Sequence, residues 1–282
     1  AFQRALELVP AEPWTRERVF VLAGQAQLFM LTGRLDESIA VAREALEGAV
    51  TLGERHLEGE LRNTLGTALA NHRHPDGFVE LRRALAIAHE VGHAEDIGRA
   101  YVNLASALSE DGRWDELFAH GAEGLAETRR RGIDRTHGAY LQTNVIDGLV
   151  AVGRWDDAVA AQATLTARLP PDIGIFFACD PLLADRGELD AAAAAIERTR
   201  ALPEAHTAAL QGTHPIYEAR VAHAIWTGRY DEVAATVDEL IERLPRVMLG
   251  WKLAPVLWRA TWAEAERAAL AHALEAGTAS AR

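Results

Sequence analysis

With 282 residues the chain is longer than one ordinary globular core, yet no linker divides it, which favours repeating units that each touch their neighbours. Its 41 acidic against 29 basic side chains give a net charge of −12, which argues against a surface that grips a phosphate backbone. A single cysteine excludes an internal disulfide and any all-cysteine metal site, and no apolar run approaches the ~18 residues a membrane-spanning helix requires. Abundant Ala, Leu, Glu and Arg favour helix throughout.

Taken in order, Ala1 to Val9 reads as the second helix of a hairpin, ended by Pro10 and Pro13. A long amphipathic helix over Trp14 to Thr32 and a partner from Asp36 to Leu52 form the first complete hairpin. After Gly53 come a helix over about Glu54 to Asn71, a degenerate turn from His72 to Gly77, and a helix from Phe78 to Val91. Pro75 and Asp76 are expected to form the N-terminal cap region of that last helix. The next hairpin pairs Glu95 to Asp111 with a helix ending at Arg131, and the following one covers about Asp134 to Leu169. Arg129 to Arg131 complement that helix's C-terminal dipole before Gly132. Pro170-Pro171 marks a break, and a softer junction is expected near residues 170–185, where Cys179 sits beside Phe176 and Phe177 as a buried thiol. Pro181 either kinks a helix or follows Asp180 as its cap. Ala191 to Ala195 marks a second helix, Thr213 to Thr227 and Tyr230 to Leu244 make a further pair, and a last helix runs from about Val247 to Ala276 with Pro255 near its start. The whole is expected to be one domain over residues 1–282. Starting inside a helix with no signal-like segment, it reads as part of a longer cytoplasmic chain.

The junctions share one pattern. Gly33-Arg34-Leu35-Asp36-Glu37 returns at Gly112-Arg113-Trp114-Asp115-Glu116, Gly153-Arg154-Trp155-Asp156-Asp157 and Gly228-Arg229-Tyr230-Asp231-Glu232, and weakened at Gly187-Glu188-Leu189-Asp190. The glycine closes one helix in the left-handed conformation, the large apolar residue packs into the corner, and the aspartate is expected to N-cap the next helix. Gly112 and Gly153 lie 41 residues apart, as do Gly187 and Gly228, while Gly153 and Gly187 are 34 apart. Such periods with two helices per unit belong to solenoids. The expected fold is therefore all-α: a solenoid of about six to seven antiparallel helical hairpins with a period of about 34 to 41 residues.

Tyr101, Leu104, Ala105, Leu108, Gly112 and Trp114 resemble the tetratricopeptide repeat pattern, and Gly33 to Leu46 resembles it again with Ser38, Ala42 and Ala45 as the small residues of the second helix. Gly121 and Gly124 depart from it, standing where an aromatic and an alanine are usual. At a second level, Asn63 to Leu69, Tyr101 to Leu104 and the Gly-Arg-Trp-Asp turns are similar to the helical array of large ATP-binding LuxR-type transcriptional regulators of actinobacteria. That resemblance implies an effector-sensing or partner-binding segment, with an ATPase before it and a helix-turn-helix after it. Neither signature lies in this sequence, so the segment itself is expected neither to hydrolyse ATP nor to contact nucleic acid.

No convergent acid, base or nucleophile set appears, so no enzyme and no cofactor is expected. His72 and His74 share a turn, and His89 and His93 straddle Gly92, so neither pair predicts a metal site. The sharper candidates lie on the first helices. Arg99, Asn103 and Ser106 form one polar stripe at i, i+4 and i+7. A step of 41 residues reaches Tyr140, Asn144 and Asp147, and Asn63 with Thr67 extends the stripe backwards. Two readings stand open: a concave groove that binds a peptide, protein or small effector, or a solvated surface. Phe20, Gln27 and Met30 are candidate anchors for the groove. On the last helix Trp251, Trp258 and Trp262 form an aromatic stripe, which is expected to pack on the preceding hairpin, with a further repeat beyond it or a homodimer contact as the alternatives. The two functional readings are thus a sensor segment of a transcriptional regulator and a free-standing adaptor that holds a partner protein.

Overall fold

A computed structural model of the chain describes residues 2–169, 181–200, 210–243 and 249–280. Phe176, Phe177 and Cys179 lie outside them, as does the side chain of Trp251. The described residues form 14 helices and no strand. They are α1 (Phe2–Leu8), α2 (Arg16–Leu31), α3 (Leu35–Leu52), α4 (Arg55–Asn71), α5 (Asp76–Val91), α6 (Ala94–Glu110) and α7 (Trp114–Arg130). There follow α8 (His137–Ala151), α9 (Trp155–Thr166), α10 (Leu182–Asp185), α11 (Leu189–Arg200), α12 (Leu210–Trp226), α13 (Tyr230–Arg243) and α14 (Leu249–Ser280). The chain divides into two compact units, Ala1–Ala161 and Gln162–Arg282.

The turns explain the repeating motif. Gly33, Gly112, Gly153, Gly187 and Gly228 all hold φ between 70° and 81°, the left-handed region that disfavours a Cβ. Each donates its N–H three residues back, and the next residue donates five residues back: Gly112 to Ser109 at 3.1 Å and Arg113 to Leu108 at 2.9 Å. This is the Schellman arrangement, which satisfies two carbonyls at the end of the first helix. The residue after the glycine is simultaneously the N-cap of the second helix, so that helix begins at the apolar residue and not at the aspartate. The expected aspartate cap is corrected here: Asp36 and Asp115 lie in the first turn, where they face the helix dipole without capping it.

Because the N-cap N–H is already used in the Schellman bond, the acidic residue at the third helical position does not reach back to it as in a capping box. It pairs with the N-cap guanidinium instead. Arg34 bonds Glu37, Arg113 Nε donates to Glu116 at 2.8 Å, Arg154 Nε to Asp157 at 2.7 Å, and Arg229 Nη1 to Glu232 at 2.9 Å. At the weakened copy the order is exchanged, with Arg186 before the glycine bonding Glu188 after it. The degenerate turn follows the same geometry without glycine. Arg73 holds φ at 59° and bonds Ala70, and His74 bonds Leu69. Helix α5 starts at Asp76 with Pro75 at the N-cap, two residues before the expected start at Phe78.

The hairpin cores match the patterned positions. Tyr101, Leu104, Ala105 and Leu108 are buried on α6, and Ser38, Ala42 and Ala45 on α3, where the Ser38 hydroxyl donates to the Ala26 carbonyl at 2.9 Å. Gly124 sits where a Cβ would come within 2.6 Å of both Tyr101 and Leu141, so the glycine makes room for the tyrosine ring. The Tyr101 hydroxyl donates to Glu123 at 2.8 Å, and Tyr217 to Glu239 at 3.0 Å. Both pairs straddle their turn glycine symmetrically, eleven residues to either side. In the first unit the first helices of successive hairpins also pack on one another, α2 on α4, α4 on α6 and α6 on α8.

In the second unit Asp185 of α10 holds two other helices. It accepts two bonds from Arg259, at 3.0 and 2.7 Å, and one from Trp226 Nε1 at 2.8 Å, tying α10, α12 and α14 together. Pro181 occupies the N-cap of α10 and kinks no helix. Trp262 packs on the core and edge-on to Trp226, while Trp258 is largely exposed. Pro255 lies inside α14.

A Cβ at positive φ costs about 1 kcal/mol. Gly112→Ala is therefore expected to lower stability by about 1 kcal/mol. Arg73→Gly raises it by about 0.5 kcal/mol, once the exposed contacts of Arg73 with Glu110 and Asp111 are subtracted. Chemical denaturation with helicity as the probe checks both, and equal effects of the two changes would contradict the turn assignment.

Candidate functional site

The candidate stripe lies on α4, α6 and α8, and the structure divides it. Asn103 Nδ2 donates to Asn63 Oδ1 at 3.3 Å, and Arg99 Nη2 to Glu60 at 3.2 Å, both from α6 to α4. Asn144 Nδ2 donates from α8 to the Val102 carbonyl of α6 at 3.3 Å. Asn63 is 3% exposed, and Thr67 turns its hydroxyl onto the Asn63 carbonyl at 2.8 Å. Ser106 bonds Glu110 of its own helix at 3.3 Å. Tyr140, 51% exposed, and Asp147 are the members that face outward. Asn63, Arg99, Asn103 and Asn144 thus form a polar ladder joining successive first helices, beside a small hollow lined by His56, Glu60, Asn63, Asp96 and Arg99. Of the candidate anchors on α2, Phe20 is 63% exposed and Gln27 and Met30 are half-buried.

A cluster of shifted titratable groups lies inside the α6–α7 hairpin. Burial pushes the Tyr101 phenol up from its ordinary range, helped by the Glu123 carboxylate. Burial likewise pulls His120 below its ordinary value, although its Nε2 bonds the Tyr101 carbonyl at 3.0 Å. Since a carbonyl only accepts, that nitrogen carries the proton of the neutral ring. His89 Nε2 lies 3.2 Å from the Tyr101 hydroxyl. Tyr217 and Glu239 repeat the tyrosine–carboxylate pair in another hairpin, where Arg220 takes part at 2.8 Å. The same tyrosine–carboxylate lock thus closes two hairpins with different neighbours.

An open hollow of about 560 Å³ lies along the turns, lined by Arg113, Trp114, Phe118, Val152 and Arg154. Its arginines are held by Glu116 and Asp157 and stack over Phe78 and Phe118, at 4.6 and 5.7 Å from the ring centres. Their charge is thus already balanced, which disfavours the hollow as an anion site. Arg130 and Arg131 likewise bond Glu127, whose carboxyl they hold down to about 2.

Among the described residues one group has the chemistry of a metal-ligand set, His56, His93 and Asp96. His93 does not pair with His89, four residues away, but meets His56 across two hairpins. The overlooked signal is a histidine at the N-terminal end of successive first helices: His56 on α4, His93 before α6 and His137 on α8.

Asn63→Ala is expected to cost about 1–2 kcal/mol, because it leaves the half-buried Asn103 amide without its acceptor. Denaturant unfolding checks this, and an unchanged midpoint would show that the ladder carries no stability. For His120, whose folded pKa lies below the ordinary value of about 6.5, the unfolded chain binds the proton more readily. Stability is therefore lost as pH falls below about 6.5 towards the folded pKa. His120→Gln, which retains a donor for the Tyr101 carbonyl, should make melting temperature fall less steeply between about pH 7 and 5. A parallel slope in the two proteins would contradict the assignment. No protein-family model and no curated protein matches the chain.

Proposed function

We propose that the chain is a non-catalytic binding segment: a tetratricopeptide-like, right-handed superhelical array whose first helices present a concave face to a peptide, a protein or a small effector. The observation that carries this reading is the packing of α2, α4, α6 and α8 on one another in sequence order, which lays one surface continuously across several hairpins. Phe20 and Tyr140 are large exposed side chains of those helices, suited to anchor a ligand in a groove. The net charge of −12 favours a partner other than nucleic acid. The repeated Gly-Arg-Trp-Asp turns, similar to the arrays of large ATP-binding LuxR-type regulators, support a place as the sensing arm of a bacterial transcriptional regulator in the cytoplasm. Ligand occupancy there would be transmitted as a change in curvature of the array.

Two measurements test this. A coding region with a P-loop ATPase upstream and a helix-turn-helix downstream is expected; a polypeptide ending close to Ala1 and Arg282 would replace the regulator reading with a free-standing adaptor. Peptides recovered by panning a random library on the chain should bind Phe20→Ala and Tyr140→Ala at least ~10-fold more weakly, with unchanged melting temperatures, since an exposed aromatic anchor contributes about 2 kcal/mol. Equal affinity for both variants and the parent protein would remove the groove from the proposal.

A further inference from the structure

We infer that His56, His93 and Asp96 form a binding site for a divalent transition-metal ion of the zinc, cobalt or nickel type. His56 lies in the first turn of α4, His93 is the N-cap residue of α6, and Asp96 is in the first turn of α6. His56 Nε2 stands 2.8 Å and His93 Nδ1 3.1 Å from the same oxygen, Asp96 Oδ2. The three atoms all lie within 4.8 Å of one another. The two rings are near perpendicular, with centres 5.5 Å apart, so two imidazole edges converge on one carboxylate from different directions. A tetrahedral ion with bonds of about 2.0–2.2 Å needs its ligand atoms about 3.4 Å apart, so the two nitrogen–oxygen distances open slightly and rotation of the solvent-exposed imidazoles sets the spacing of their nitrogens, which lie within 4.8 Å of each other.

The donor set selects the ion. Two imidazoles and one carboxylate suit zinc, cobalt or nickel, whereas calcium and magnesium prefer oxygen ligands throughout. The set also accounts for Asp96, whose side chain caps no helix end and is 15% exposed, while both histidines reach solvent at 39% and 57%. Three protein ligands leave a fourth position for water or for a side chain of a bound partner. Opposing these gains, the ion sits at the N-terminal ends of two helices, whose dipoles repel it. Asp96 offsets part of that repulsion, whereas the nearby Glu60 is already bonded to Arg99. The ion would staple the entry of α4 to the entry of α6, joining two successive hairpins.

The test uses the whole chain, stripped with EDTA and titrated with Co²⁺, then with Zn²⁺ as competitor. One Co²⁺ per chain is expected, with the visible absorption of a tetrahedral site that Zn²⁺ abolishes. The melting temperature should rise by roughly 5 °C at about a hundredfold excess over Kd. His93→Gln and Asp96→Asn should weaken binding by at least about 100-fold, since ligand loss exceeds the effect of outer-shell changes. His72→Gln/His74→Gln, altering histidines of another turn, should bind as the parent does. Helicity measured without metal confirms that the variants fold. In the parent protein alone, Zn²⁺ should shift the imidazole nitrogen resonances of His56 and His93 before those of the other histidines. No visible band at millimolar Co²⁺, a band unchanged in folded His93→Gln and Asp96→Asn, or first shifts at other histidines would each overturn the site.

Discussion

The organisation of the chain depends on one backbone constraint: a residue held at positive φ between two helices that follow each other at once. The Schellman bonds fold the first helix end back on itself, and the residue carrying the second bond is already the N-cap of the next helix. With only three residues in the link, the N-cap N–H is already taken, and an arginine at the N-cap has no acceptor for the first-turn N–H groups. The acid three residues on consequently turns to the arginine, and the arginine stacks where a phenylalanine of its own or the preceding hairpin is in reach. A pattern that reads as glycine, arginine, apolar, aspartate, acid is thus the side-chain consequence of one backbone geometry. Its recurrence in both units shows that they are built by the same device.

A second constraint acts between hairpins. First helices that pack side by side bring their polar side chains against one another, and buried amides require partners. Asn63, Asn103 and Asn144 meet that requirement by bonding to the neighbouring helix. The stripe therefore splits into members that hold the array together and members such as Tyr140 that face outward. Any ligand bound along this face would meet the outward members first, and a ligand competing for the ladder would act on the spacing of the hairpins themselves.

These constraints also explain what was legible in the sequence. The turn glycines, the buried faces of α3 and α6, and the succession of helices follow from local rules that a single segment obeys alone. The aspartate cap was misread because the competing use of the N-cap N–H appears only once the preceding helix end is folded back. Arg73 at positive φ was invisible because its turn lacks glycine. The in-register spacing of Asn103 and Asn144 was visible, but the inward use of their amides depends on how closely α4, α6 and α8 approach. His56 and His93 are 37 residues apart in sequence and share a carboxylate only through that same approach.

The links between successive repeats of the first unit have a common polarity of chemistry. Arg99 reaches back to Glu60, Arg131 to the Gly92 carbonyl, Arg82 forward to Glu116, and Arg73 forward to the Glu110 carbonyl. In each a guanidinium, charged at every physiological pH, spans from one hairpin to the next, so these links have one state. At the entry to the first helices Arg16 still bonds Glu54 between α2 and α4, but the links further along are carried by histidine, at His56 to Asp96 and His137 to Glu95. An imidazole can give up its proton and take a metal, which a guanidinium cannot do. A metal held by His56, His93 and Asp96, as inferred above, would therefore act at the entry of α4 and α6. Under the proposed sensing role, a change at these histidine links would act on the spacing of the first helices, while the arginine links above keep one state.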